Sequence, residues 1–274
     1  MLHRIVVVFV AALTLLPAQP TFAAAPTTIL FVGGYGGSLT SAVGDFSALR
    51  SALLQHDPEL RFAQYSYTGW DADACRPLDY RDVDTGQDFA VSEQRLLNTI
   101  LTLRTQCGAQ RIVVIGHSLG GLIALHALSD SPMGEVSDIV TIDSPLGGAP
   151  AAEIQACIDY GLCVDGPVGS LLSKLNGDWD QTALDNASRV SHLAQLGTRV
   201  TAWGNQSDCL YAPVACVPAA KRLLGAYDVR ETQWLGVDRA MRRDYVPSTL
   251  ASVLHSHDVM LTRAAGDIAD DLFA

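Results

Sequence analysis

The chain has 274 residues, of which 49% are hydrophobic and 17% are charged, and its formal net charge is −11 at pH 7. This composition is typical of a globular protein with one large domain or two small ones, and it excludes a disordered chain. The acidic balance argues against partners that need a basic face, namely nucleic acids and anionic membrane surfaces. Uncharged or weakly charged substrates remain compatible with it.

The N-terminal residues have the layout of a secretory signal peptide. A short basic start precedes an apolar run at Ile5–Leu16, and the small residues Thr21 and Ala23 fit cleavage after Ala23. The run is too short for a membrane-spanning helix, which needs about 20 residues. We therefore expect a signal peptide at 1–23 and a mature domain at 24–274 without an integral membrane segment. The expected location is extracellular or periplasmic.

Secretion affects how the cysteines are interpreted, because an even number in an oxidising compartment indicates disulfides. The mature part contains six, at Cys75, Cys107, Cys157, Cys163, Cys209 and Cys216. The short spacings suggest the pairs Cys157–Cys163 and Cys209–Cys216, which leaves Cys75–Cys107. No two cysteines have the C-x₂-C spacing of a zinc site, so no metal is predicted.

Strands alternate with helices along the middle of the chain. The apolar patterns, in chain order, predict strand 28–32, helix 46–54, strand 60–67, helix 91–103, strand 111–115, helix 119–128, strand 139–142 and strand 199–203. This alternation predicts an α/β fold with a mostly parallel central sheet and helices on both faces. An amphipathic helix is expected at the C-terminus and ends near Phe273.

Two stretches show neither pattern. Residues 69–88 are polar, and residues 145–197 separate two predicted strands by more than the roughly 10–12 residues of a simple crossover. We expect the second stretch to be a cap or lid insertion at about 145–197, above the carboxyl edge of the sheet. Its apolar stripe at 166–175 has glycine at its start and would suit a hinged lid or a fixed cap equally.

The strongest chemical signal is the run Gly116-His117-Ser118-Leu119-Gly120 between a predicted strand and a predicted helix. It matches the G-x-S-x-G pattern in the strand–turn–helix context that the pattern requires. The serine of such a turn has a strained backbone, and side chains two positions before and after it would collide. The helix that follows offers N–H groups to a developing oxyanion. An ordinary strand–helix turn that contains a serine is the alternative.

The run from Gly116 to Gly121 resembles the α/β-hydrolase superfamily, and more narrowly its secreted bacterial lipases and esterases. The resemblance implies a Ser–acid–His triad in that chain order, with Ser118 as the nucleophile and no cofactor. In this family a glycine-rich loop after the first strand, here Gly33–Gly37, supplies an oxyanion N–H, usually within His-Gly-x. Gly33 replaces that histidine, so the N–H groups of Tyr35 and Leu119 are the expected donors. A register shifted to Gly34, or a plain flexible turn, is the alternative.

The resemblance also implies where the acid and the base lie. The loop after strand 199–203 contains Asp208, which we expect to orient the histidine. Asp143 ends the preceding strand and is the alternative acid, or else a carboxylate that caps local N–H groups. His257 comes just before a short apolar run and the last helix, so it is the expected base, with His255 as the alternative.

These residues predict a secreted serine hydrolase that cleaves carboxylic esters through an acyl-enzyme. The expected partners are small-molecule or lipid esters and, transiently, an oil–water interface, but no nucleic acid. Phospholipids, polyesters and thioesters are alternative substrates, and a non-catalytic binding protein of the same fold is the alternative from another class. Asp84 and Thr85 resemble a stretch in related secreted esterases, but we assign them no chemistry and expect a structural loop.

Overall fold

The computed structural model describes residues 26–144, 146, 179–204, 228–231, 261–262 and 265–274. The predicted signal peptide and the apolar stripe at 166–175 lie outside these residues. The regular elements, in chain order, are β1 (Thr27–Val32), α1 (Leu39–Asp45), α2 (Ser47–His56), β2 (Arg61–Gln64), β3 (Trp70–Asp71), β4 (Arg76–Pro77), a 3₁₀ helix (Asp82–Gly86), α3 (Phe89–Thr105), β5 (Arg111–His117), α4 (Leu119–Asp130), β6 (Val136–Ile142), α5 (Trp179–Gln195), β7 (Arg199–Gly204), β8 (Asp228–Glu231) and α6 (Ala265–Phe273).

Six of the described strands form one sheet in the order β2-β1-β5-β6-β7-β8, and every neighbouring pair is parallel. β5 is a central strand, and its residues Ile112–Ile115 are all nearly fully buried. Such a continuous apolar run is typical of a parallel strand that is covered on both faces. The predicted mostly parallel sheet with helices on both faces is therefore confirmed.

Alternating side chains of β5 divide the core into two layers. Val113 and Ile115 pack with α2 and α6 on one face, whereas Ile112 and Val114 pack with α3, α4 and α5 on the other. Because all these strands run in one direction, their carboxyl ends meet at one edge of the sheet, where ligands bind in open α/β sheets.

Helix α5 lies within the range 145–197 that the sequence assigns to a cap. It packs against α4, and its residues Val190 and Leu193 are buried in the core on that face of the sheet. The last part of the range is thus the crossover helix between β6 and β7. The cap stays a prediction for residues 147–178, which lie outside the described residues.

A disulfide joins Cys75 to Cys107. It ties the β3–β4 hairpin to the chain just after α3. The sequence analysis left this same pair after it paired Cys157 with Cys163 and Cys209 with Cys216 by their short spacings. The other four cysteines lie outside the described residues. In the part of the chain that the structure describes, no helix is both long and apolar enough to span a membrane.

Candidate active site

Ser118 occupies a strained turn between β5 and α4. Its backbone angles are φ 52° and ψ −124°, and its N–H donates to the carbonyl of Ile142, 2.8 Å away at the end of β6. A positive φ costs a non-glycine residue about 1–3 kcal/mol and persists only where the surroundings enforce it. The side chain is partly exposed. The sequence pattern predicted this strained strand–helix turn, and the structure contains it.

The glycines of the turn are explained by close backbone contacts. A Cβ atom at Gly116 would lie 2.4 Å from the Cα of Gly121, and one at Gly120 would lie 2.2 Å from the carbonyl oxygen of Val32. Real Cβ atoms do not approach other atoms this closely, since protein interiors are already packed to high density. The chain between β5 and α4 therefore lies directly against the end of β1.

The residues Gly33–Gly37, here called the glycine loop, leave β1 beside this turn. Val32 pairs with Gly116 across the two adjacent strands, and a Cβ at Gly34 would lie 3.0 Å from the Cβ of Ser118. The Leu119 N–H belongs to the first turn of α4, where backbone N–H groups have no partner within the helix. Both expected oxyanion donors, the N–H groups of Tyr35 and Leu119, thus lie on segments that adjoin Ser118.

Position 33, where the sequence has glycine in place of the expected histidine, is closely surrounded by two side chains. A Cβ at Gly33 would lie 3.0 Å from the Cβ of Ala42 and 3.3 Å from the hydroxyl oxygen of Tyr80. Both of these side chains are buried. A side chain at position 33 would therefore require Ala42 or Tyr80 to shift by a few tenths of an ångström.

Asp143 follows β6 at the same edge of the sheet as Ser118. It has φ 46°, is 2% exposed, and its N–H donates to the carbonyl of Trp203 on β7 at 2.9 Å. Because β6 adjoins β5, Asp143 lies one strand away from Ser118. Its burial and its strained backbone fit either a structural carboxylate or the alternative acid.

The expected acid and base, Asp208 and His257, lie outside the described residues, as does His255. The strand β7 ends at Gly204, four residues before Asp208. The described residues begin again with two helical residues at Leu261, four residues after His257. The chain therefore leaves β7 at the carboxyl edge that carries Ser118. In the described part of the chain, no three His, Cys, Asp or Glu side chains are grouped as metal ligands.

Sequence reasoning assigned no chemistry to two residues that contact the glycine loop. The hydroxyl of Tyr67 donates to the carbonyl of Gly33 at 2.8 Å, and the N–H of Gly36 donates to the hydroxyl of Thr85 at 2.9 Å. These partners are 34 and 49 residues apart in the chain, so no local pattern could have paired them.

Comparisons with known proteins agree with this fold. A family model described as PGAP1-like alpha/beta domain matches residues 24–198, which is more than half of the chain. A comparison with curated protein sequences found no match.

Several solved structures resemble this one. A lipase-esterase related protein from Clostridium acetobutylicum ATCC 824 is 14% identical, with a TM-score of 0.51 over 91% of this chain and 94% of that chain. The mature form of a lipase from Bacillus licheniformis is 16% identical, with a TM-score of 0.48 over 67% of each chain. An esterase from Exiguobacterium antarcticum is 14% identical, with a TM-score of 0.48 over 85% of this chain and 93% of that chain. At such low identity the likeness concerns the fold alone. The chain belongs to the family of PGAP1-like alpha/beta domains and has the α/β-hydrolase fold.

Proposed function

We propose that the protein is a secreted serine hydrolase that cleaves carboxylic esters. The observation that carries the proposal is the backbone of Ser118, which lies at positive φ between β5 and α4 and beside the glycine loop. Strain of this kind concentrates at functional sites, where it presents a side chain in a way that an ordinary turn does not. An ordinary turn would have no need of serine at a position that glycine fits better.

The proposed reaction proceeds through an acyl-enzyme. The Oγ atom of Ser118 attacks the ester carbonyl while His257 takes its proton, and the N–H groups of Leu119 and Tyr35 bind the oxyanion. His257 then donates the proton to the leaving alcohol. A water molecule, deprotonated by His257, attacks the acyl-enzyme and releases the acid and Ser118. Asp208 keeps the histidine in the tautomer that this sequence requires.

The substrate class rests on the fold and on the predicted secretion. The similar protein from Clostridium acetobutylicum is described as lipase-esterase related, which supports carboxylic esters as the first class to test. Phospholipids, polyesters and thioesters pass through the same tetrahedral chemistry and are the next classes. A cap at 147–178 would decide how long an acyl chain the site accepts.

Initial rates on p-nitrophenyl esters from acetyl to palmitoyl, with and without emulsified triglyceride, test the proposal. The wild-type protein should hydrolyse at least the short esters, and Ser118→Ala should abolish the rate with the fold intact. Ser129→Ala is the matched control, since Ser129 is also a serine of the α4 region but lies near the opposite end of that helix. Equal rates in wild type and Ser118→Ala would contradict the proposal. A rate jump above the solubility limit would indicate a mobile lid, and smooth saturation a fixed cap.

A further inference from the structure

Thr85 makes a fixed, buried contact with the glycine loop. Its side chain is 1% exposed, and its hydroxyl accepts the Gly36 N–H at 2.9 Å. The same hydroxyl donates its proton to the carbonyl of Asp82 at 2.6 Å, within the 3₁₀ helix. Because that proton is committed, the oxygen presents its lone pairs to Gly36. The hydroxyl therefore acts as an oriented acceptor and holds the Gly36 N–H in one direction.

Tyr67 holds the other end of the same loop. Its hydroxyl donates to the Gly33 carbonyl at 2.8 Å, and its side chain is fully buried. Burial raises the pKa of the Tyr67 phenol well above its usual value, so the hydroxyl stays protonated and remains a donor at any working pH. The guanidinium of Arg95, on α3, donates both to the Tyr67 carbonyl and to the side chain of Gln87. Arg95 thus ties Tyr67 to the chain two residues after Thr85.

These two contacts fall on either side of one peptide unit. The Gly33 carbonyl belongs to the peptide before the Gly34–Tyr35 unit, and the Gly36 N–H belongs to the peptide after it. Each peptide unit is planar, so anchoring both neighbours restricts how the middle unit rotates. Glycine imposes little restriction of its own on the backbone, and Gly36 already adopts φ 76°. The hydrogen bonds to Tyr67 and Thr85 therefore restrict the rotation of the peptide unit that carries the Tyr35 N–H.

We propose that Thr85 is a positioning residue for the oxyanion hole, which acts with Tyr67 to hold the Tyr35 N–H towards the developing oxyanion. The inference rests on the proposed function, because it gives that N–H an ester oxyanion to bind. An oxyanion donor helps only if it is oriented before the reaction, since reorientation would cost part of the stabilisation. The polar stretch at 69–88, to which the sequence analysis assigned no chemistry, would then contribute to catalysis through Thr85.

The test compares Thr85→Val, which keeps the shape and removes the hydroxyl, with Thr85→Ser, which keeps the hydroxyl. With p-nitrophenyl butyrate as the probe, Thr85→Val should lower kcat by about 10- to 100-fold, somewhat less than deletion of a whole oxyanion donor. KM should change little, because the ground-state ester does not depend on this N–H. Thr85→Ser should recover most of kcat. The rate of covalent inactivation by an alkyl fluorophosphonate should fall in parallel with kcat.

Thr99→Val is the matched control. Thr99 is also 1% exposed, and its hydroxyl donates to a backbone carbonyl of its own helix, that of Arg95 at 2.9 Å. This variant should lose similar stability in urea unfolding and keep the wild-type kcat. The inference is overturned if Thr85→Val keeps the wild-type kcat. It is also overturned if Thr85→Ser or Thr99→Val lowers kcat as much as Thr85→Val does.

Two further variants keep the outcomes separate. If Thr85→Val does not fold, Tyr67→Phe removes the other anchor and should lower kcat selectively, and a wild-type kcat there would overturn the inference. Activity that survives in Ser118→Ala would refute the proposed function itself. Loss of activity in Ser118→Ala together with full kcat in the Thr85 variants would refute only the role of Thr85.

Discussion

Gly34 lies against Ser118 so closely that a Cβ atom at position 34 would be 3.0 Å from the serine Cβ. The same turn meets the end of β1 at Gly120, where a Cβ would lie 2.2 Å from the Val32 carbonyl oxygen. The glycine loop and the turn that carries Ser118 therefore pack against each other. They follow β1 and β5, which are neighbouring strands of the sheet. The candidate chemistry depends on this contact, because the glycine loop contributes the Tyr35 N–H, whereas the nucleophile Ser118 and the Leu119 N–H belong to the other segment.

Gly120→Ala should destabilise the fold strongly. The added methyl group meets backbone atoms of β1, which cannot move aside as the end of a flexible side chain can. Overpacking of this kind typically costs about 1–3 kcal/mol, and we expect the upper end or more. Gly134→Ala is the control, because no atom lies within 4 Å of a Cβ there and the backbone is not left-handed. Urea unfolding of both variants measures the difference, and equal free energies of unfolding would contradict the packing described.

Ser118→Gly and Ser118→Ala should separate backbone strain from catalysis. Both variants lack the hydroxyl and should be inactive, but only glycine relieves a backbone at φ 52° and ψ −124°. Strain relief, less the entropy that glycine adds to the unfolded state, should make Ser118→Gly more stable than Ser118→Ala by about 1 kcal/mol. Thermal unfolding under identical conditions checks this order. A less stable Ser118→Gly would show that the serine backbone is not strained.

Replacement of Cys75 and Cys107 by serine should lower stability. The bond closes a loop over a sequence separation of 32 residues. Loop closure of that length contributes about 3–4 kcal/mol through the unfolded chain. The enclosed chain includes Thr85, so activity should fall at lower urea concentrations than those that unfold the sheet. Coincident loss of activity and of helical circular dichroism in the double variant would contradict this order.

The proposed triad predicts unequal effects for neighbouring candidates. His257→Ala should lower kcat by roughly 10⁴–10⁶, as Ser118→Ala should, because triad members act as a unit. His255→Ala should lower kcat much less.

The two candidate acids should also differ. Asp208→Asn should reduce kcat strongly, and Asp143→Asn should reduce mainly stability, because the Asp143 carboxylate is buried. Steady-state kinetics with parallel melting curves distinguish these cases. An inactive but stable Asp143→Asn beside an active Asp208→Asn would identify Asp143, at the end of β6, as the acid.

The sequence predicted the central strands well, since their apolar runs reflect burial on both faces. It placed the start of β6 at Ile139, whereas the strand begins at Val136. The reason is Asp138, a charged residue that is 4% exposed and is paired with Arg111 and Arg199 on the two adjacent strands. From the sequence alone, a charged residue is expected to be exposed to solvent. The partners that allow Asp138 to be buried are distant in sequence, so its burial was not predictable.

The same limit explains why the sequence analysis predicted neither helix α5 nor strand β8. In α5 the buried face includes Asn186, whose side chain contacts His126 and the Leu146 carbonyl, so the apolar stripe is interrupted. Strand β8 reads Asp-Val-Arg-Glu and has no apolar pattern at all. At the site, the pattern around Ser118 was sufficient because the strained turn is local. The contacts of Thr85 and Tyr67 were not predictable, because only the folded chain brings them to the glycine loop.

The most direct test of the central claim is to locate a covalent label. Incubation with an alkyl fluorophosphonate, followed by proteolysis and mass spectrometry, should place one phosphonyl group on the peptide that contains Ser118, with loss of esterase activity in the same proportion. Ser118→Ala should take up no label. A label on another residue, or an unlabelled wild-type protein that hydrolyses esters as fast as before, would contradict the account.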